Sequence, residues 1–267
     1  MANRLSGGGG LLIYVLTGVI LLFVLAPLVV VVTLSFSQAN LAIFPPVGFT
    51  VSWYQQVLSN EEFQQSFIIS VVLALAATLA AFALGVPAAY ALNRWNVPGA
   101  QAIEALLLSP FILPILITGL ALLQFMSMMR MRDAAINLFV GHLLVTLPYL
   151  VRTVTASLKQ VDRSLEEAAL TLGAPPWRVF WRITVPQIVP GIAAGCLFAF
   201  MVSFDDFPIS LWLADAQTVP LPIFLHNSMT KVFDPSIAAM SSLMILTGIF
   251  AVIGLEKLVG LRRAMSV

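Results

Sequence analysis

Lys159-Gln-Val-Asp-Arg-Ser164-Leu-Glu166-Glu167-Ala168-Ala169-Leu-Thr-Leu-Gly173-Ala-Pro175-Pro176-Trp177-Arg178-Val-Phe180-Trp181-Arg182-Ile183-Thr-Val185-Pro186 is a polar island between two long apolar stretches. A helix buried in lipid would not carry it, so here the chain must meet water. Its residues read as a helix–turn–helix. Ser164-Leu-Glu-Glu167 has the form of a capping box, with Glu166 and Glu167 favoured in the first turn by the helix dipole. Ala168 and Ala169 leave a face with almost no side chain, open to close approach. Gly173 suits the left-handed residue that ends a helix, and Pro175-Pro176 forbid its continuation. A second short helix starts near Pro176, since proline is tolerated at a first helical position. Trp177, Phe180 and Trp181 share one of its faces at i, i+3, i+4 spacing, Arg178 and Arg182 lie on another, and Pro186 closes it.

Outward from the island, everything is compatible with hydrocarbon. The chain is 60% hydrophobic and 9% charged, with mean hydropathy +1.00; soluble domains carry about 25% charged residues. A spanning helix needs roughly 20 apolar residues. Six windows meet or approach that length, 11–34, 67–93, 105–129, 134–151, 183–204 and 235–255. The fourth is short, but Arg152 near its end can snorkel to the headgroups. The reading is an all-α integral membrane protein of one domain, residues 1–267, with six transmembrane helices and the 159–186 loop as its one polar protrusion. Proline within spans (Pro27, Pro87, Pro110, Pro114, Pro148) introduces kinks that neighbouring helices satisfy.

Successive gaps between spans fall on alternate faces. One face collects Arg4, Arg94, Arg152, Lys159, Arg163, Arg178, Arg182, Lys257, Arg262 and Arg263; the other holds Arg130, Arg132 and Lys231. Basic residues favour the cytoplasm, so the island and both termini are expected there. The loop after the first span, 35–66, has no Lys or Arg; its Trp53-Tyr54 suit an amphipathic segment at the outer interface. Gly7 to Gly10 read as a slack tether. The first apolar run exceeds the 7–15 residues of a cleaved signal and ends without an A-x-A-like site.

The spacing Glu167-Ala168-Ala169, three residues, Gly173, nine residues, Ile183-x-Val185-Pro186 resembles the EAA loop of ABC importer permeases, with valine where that family usually has leucine. Pro87-Ala-Ala-Tyr90-Ala-Leu-Asn93-Arg94 with Pro98-Gly99, and Ser109-Pro110-Phe-Ile-Leu-Pro114, are similar to stretches common there. The resemblance implies a non-catalytic transmembrane subunit of a bacterial inner-membrane importer. Its loop, through Glu166, Glu167, Ala168, Ala169, Gly173, Ile183 and Pro186, would dock on an ATPase. It implies as partners a second, different permease chain, two ATPase subunits and a periplasmic solute-binding protein within the lipid bilayer. No cofactor is expected on this chain, while ATP and Mg are expected on the ATPase; a G-x-x-x-x-G-K-[ST] phosphate loop is absent from this sequence.

For the cargo, Ser203-Phe-Asp205-Asp206-Phe-Pro208 stands out. Counting from residue 188 at ~1.5 Å per residue puts the carboxylates about 25 Å along the fifth span, near the outer edge of the hydrocarbon. They read either as a cation-attracting part of the pathway or as a solvated helix end. Trp212, Asp215 and Tyr149 would complete a site of carboxylate and cation–π contacts. With Leu221-Pro222 and Asp234-Pro235-Ser-Ile-Ala-Ala239, the stretch looks most like permeases of the spermidine/putrescine group. Another small organic solute is the alternative within this class; a stand-alone channel or secondary carrier using Asp205 and Asp206 is the alternative outside it. His142 reads as a satisfied helix-interface residue and His226 as a loop residue, since zinc needs three or four ligands. Met126, Met128, Met129 and Met131 read as packing, and Cys196 as a small core residue. A net charge of +1 with no basic stripe gives nucleic acid no surface.

Overall fold

The computed structural model describes residues 8–41, 43–231 and 234–259. The α-helices in chain order are α1 (Gly8–Leu34), α2 (Ser52–Ser59), α3 (Glu61–Arg94), α4 (Ala100–Leu108), α5 (Ile115–Met128), α6 (Ala134–Leu158), α7 (Arg163–Thr171), α8 (Pro176–Val179), α9 (Val185–Phe204), α10 (Phe207–Leu213), α11 (Leu221–Lys231) and α12 (Pro235–Val259).

Among the described residues, five helical stretches are long and apolar enough to cross a membrane, or six if a bent pair is counted as one span. Four of the six apolar windows become single helices close to their expected limits: α1, α3, α6 and α12. The third window breaks instead. Pro110 sits in a tight 3₁₀ turn, Ser109–Phe111, and Pro114 is extended at the start of α5. The segments Ala100–Phe111 and Ile115–Met128 lie at 105° to each other. Two prolines four residues apart remove two backbone donors from one turn, which a single kink does not absorb. Pro27, Pro87 and Pro148 stay inside continuous helices.

Three further boundaries depart from expectation. Gly8 to Gly10 belong to α1 rather than to a tether; Gly7, Arg4, Arg262 and Arg263 lie outside the described residues. α6 continues to Leu158, so Arg152 stands inside the helix, its guanidinium 5.9 Å from the Phe111 ring. Pro186 does not close the second short helix. Helical structure runs from Pro176 to Phe204, 29 residues, through a π turn at Phe180–Thr184. That wider turn leaves room ahead of Pro186, which has no N–H to give.

The chain groups into two units, the described parts of Met1–Glu61 with Asn227–Thr247, and of Glu62–His226 with Gly248–Val267. Within the first, the segment after α1 folds onto α2. Tyr54 and Ser35 hydroxyls are 2.7 Å apart, Trp53 Nε1 donates to the Ser37 carbonyl at 2.7 Å, and Phe36 stacks on Tyr54.

Within the second, α6 and α9 form the central pair. Gly191 and Gly195 of α9 sit against Ser157, Thr153 and Leu150 of α6, spacing at which small residues let backbones approach. One apolar cluster joins Ala81, Val86 and Ala89 of α3 to Leu150, Val154 and Leu158 of α6 and Ile188 and Ala199 of α9. A second joins Leu73, Met126, Leu138 and Val145 to Ile209 and Leu213 of α10. Met126 is buried there and Met131 packs against it, whereas Met128 and Met129 are exposed.

Candidate functional site

Two arrangements lie at opposite ends of α6. At its C-terminal end stands the hairpin of the polar island. α7 begins at Arg163, so Ser164 is already helical and the capping box does not form. Asp162 caps instead, accepting from the Ser164 N–H at 2.9 Å. The Ser164 N–H, aided by its hydroxyl, holds the Asp162 carboxyl below the usual carboxylate range. The helix ends in a Schellman motif: Gly173, at φ +86, donates to Leu170 O, and Ala174 donates to Ala169 O, both at 3.0 Å.

The two glutamates diverge. Glu167 is exposed on α7 with Ala168, Leu165, Leu170 and Leu172. Glu166 is buried and points into the protein. Arg94, the last residue of α3, holds it with a fork: Nε to Oε2 at 2.8 Å and Nη2 to Oε1 at 3.2 Å. The Thr184 hydroxyl donates to Oε1 at 2.8 Å, and Arg94 Nη2 also donates to Leu158 O, the last carbonyl of α6, at 3.2 Å. A bidentate, charge-assisted pair is directional, and once buried it is costly to break from one side. Sequence reading placed Glu166 beside Glu167 on the outer surface and gave Arg94 no partner.

On the returning arm, Trp177, Trp181, Arg178 and Arg182 are exposed, while Phe180 packs edge-on against Tyr90 of α3. Ile183 is half-buried and Pro186 exposed. Val185 donates to Phe180 O across the π turn. Arg94, Lys159, Arg163, Arg178 and Arg182 thus share one end of the second unit, and Arg130 and Arg132 lie at the start of α6.

Nearer the N-terminal end of α6, α9 breaks at Asp205 and α10 starts at Phe207. Asp205 is exposed; Asp206 is buried and caps α10, accepting from the Ile209 N–H at 2.7 Å. His142 of α6 fixes the break from behind. Its Nδ1 lies 2.8 Å from the Ser203 hydroxyl and its Nε2 3.2 Å from the Ser210 hydroxyl. His142 is eight residues inside α6, about 12 Å along the axis at 1.5 Å per residue. α10 fits because Gly141 and Gly119 face it; a Cβ on either would stand 2.7 Å from Ile209 or Trp212.

The proposed pathway residues do not all converge. Trp212 lies in α10, Asp206 caps its start and Asp205 ends α9. Asp215 is spent on its own loop, accepting from the Gln217 and Thr218 amides. Tyr149 lies two turns along α6 from His142, its ring perpendicular to Phe111 at 4.7 Å and near Phe198. His226 lies in α11 rather than in a loop, its ring 4.9 Å from Phe207. Among the described residues no group of three His, Cys, Asp or Glu is placed to hold a metal.

Comparison with known proteins puts these features in context. Residues 81–264 match the family model "Binding-protein-dependent transport system inner membrane component". The chain is 30% identical over 230 residues to the putrescine transport system permease protein PotI of Escherichia coli K12, covering 84% of this chain and 82% of that one. It is 26% identical to the spermidine/putrescine permease PotC of Haemophilus influenzae, covering 88% and 91%. The molybdenum permease ModB of Mycobacterium bovis is 30% identical, covering 78% and 85%. The fold of this chain is similar to that of a chain of a bacterial ABC transporter involved in alginate import, with TM-score 0.68 at 18% identity, covering 97% of this chain and 98% of that one. Five or six apolar spans among the described residues, an exposed polar hairpin and this match belong together: the chain is a member of the inner-membrane components of binding-protein-dependent transport systems, a permease subunit of an ABC importer.

Proposed function

We propose that this permease carries polyamines of the spermidine/putrescine type into the cell. The observation that carries the reading is the identity to putrescine and spermidine/putrescine permeases over more than four-fifths of the chain. The chemistry supports it. Asp205 offers an exposed carboxylate at the break between α9 and α10, a feature that attracts an aliphatic polycation. The same carboxylate would repel an oxyanion.

In this reading both termini and the hairpin face the cytoplasm, and a second, different permease chain completes the pathway. The exposed face of α7, with Glu167, Ala168 and the leucines, docks on an ATPase subunit that binds ATP and Mg. This chain performs no catalysis. A periplasmic solute-binding protein delivers the cargo. Its structural relatives are compatible with such a partner, one being an alginate transporter solved with its periplasmic protein.

A second reading rests on the molybdenum permease, which is as similar in identity as PotI. Reconstitution with the partner chains separates the two. ATP hydrolysis stimulated by binding protein loaded with putrescine or spermidine, but not with molybdate, supports the first; stimulation by molybdate alone overturns it. Labelling of single cysteines at Leu172 and Ala216, in a Cys196→Ser background, reads the orientation: only the second should react from the periplasm.

A further inference from the structure

The Arg94–Glu166 pair brings four helical segments together, one of which, α3, is not connected to the others there by the chain itself. Arg94 ends α3, Leu158 ends α6, Glu166 lies on α7 and Thr184 precedes α9; bonds at 2.8–3.2 Å link all four. The side chains of the pair are 7% and 9% exposed, so water does not compete for them. Two further contacts tighten the end of α3. Asn93 Nδ2 donates to the Thr155 hydroxyl of α6 at 3.2 Å, and Arg163 reaches the Arg94 carbonyl at 3.4 Å.

We propose that this buried pair is the rigid link through which motion of α7 reaches α3, so that α3, α6 and α9 move as one body. Glu166 is a positioning residue: its side chain is buried and its oxygens are taken up by Arg94 and Thr184, whereas its neighbour Glu167 is exposed. The peptide chain ties α7 to α6 through Lys159 to Asp162 and to α9 through the hairpin. It offers no short path to α3, which lies more than sixty residues earlier in sequence. Without the pair, α7 could rock against α3 while its outer face stayed engaged. ATP would then be spent with less movement of the spans.

The inference rests on the proposed ATPase docking, and its test keeps the two apart. Glu166→Gln keeps an oxygen for Thr184 but loses the charge that Arg94 grips. Arg94→Met with Glu166→Met removes the whole network, and an apolar pair of similar volume commonly preserves stability. In the reconstituted complex, normalised to assembled protein, both variants should move fewer solute molecules per ATP than the wild type. An unchanged ratio in either assembled variant overturns the proposal. A second measurement uses the permease alone. Amide exchange across Leu165–Leu172 should accelerate about tenfold in Glu166→Gln, because the helix is then held by fewer buried contacts. Unchanged exchange also overturns it. A wild-type complex that ignores loaded binding protein counts against the transport reading, and exchange then decides the link.

Discussion

Gly191 of α9 lies so close to Ser157 of α6 that a Cβ added to it would stand 2.7 Å from the serine Cβ and 2.9 Å from the Thr153 carbonyl oxygen. The carbonyl is backbone and cannot rotate away. Gly191→Ala should therefore destabilise the permease by about 1–3 kcal/mol, the usual cost of overpacking. Gly254 of α12 has nothing within 4 Å of that position, so Gly254→Ala should leave the midpoint unchanged or raise it. Unfolding midpoints in detergent compare the two.

His142 shows what a buried polar residue contributes between helices. His142→Leu leaves the Ser203 and Ser210 hydroxyls without the ring that joins them, and should cost about 1–3 kcal/mol. Adding Ser203→Ala and Ser210→Ala should recover most of that, since removing both partners is nearly neutral. Failure of the triple variant to recover would mean that ring volume, not hydrogen bonding, holds α10 in place.

Asp205 and Asp206 separate by experiment. Asp206→Ala removes a helix cap and should cost about 0.5–2 kcal/mol, with Asp206→Asn retaining most of the stability. Asp205→Asn should leave stability alone and slow uptake of the polycation. The contrast is read by measuring thermal midpoint and initial uptake on the same preparations.

The hairpin gives a prediction about docking. Gly173→Ala forces a side chain into left-handed backbone, at a cost of roughly 1–2 kcal/mol, with Gly173→Asn milder. Glu167→Lys combined with Gly173→Trp should abolish recovery of the ATPase in a pull-down, while Asp162→Ala should weaken it. The Asp162 cap is present above the ordinary aspartate pKa and lost as pH falls through its lower folded value. Capture should therefore be insensitive to this group near neutral pH.

The sequence made the membrane class, most spans and the hairpin legible because each rests on local or additive signals: apolar run length, a left-handed glycine, paired prolines. Where two residues compete for one local role, locality fails. Asp162 and Ser164 are both good caps two positions apart, and the inward pull of Arg94 on Glu166 goes with the register that starts at Arg163. Pro27, Pro87, Pro110, Pro114 and Pro148 look alike in their apolar windows, yet of these Pro110 and Pro114, one turn apart, interrupt the helix. Glu166 and Glu167, like Asp205 and Asp206, are adjacent twins in sequence. One of each pair is exposed and the other buried; Glu166 is held by Arg94, 72 positions away, which only tertiary packing brings near.

The π turn at Phe180–Thr184 makes the connection between hairpin and bundle a matter of phase. One extra residue within a helix rotates everything beyond it by about 100°. Deleting a single residue there would swing the tryptophan–arginine arm to a new azimuth while leaving α9 seated against α6. The aim of the arm is thereby set by the phase of one turn, and the contacts of Thr184 with Glu166 and of Phe180 with Tyr90 hold that phase.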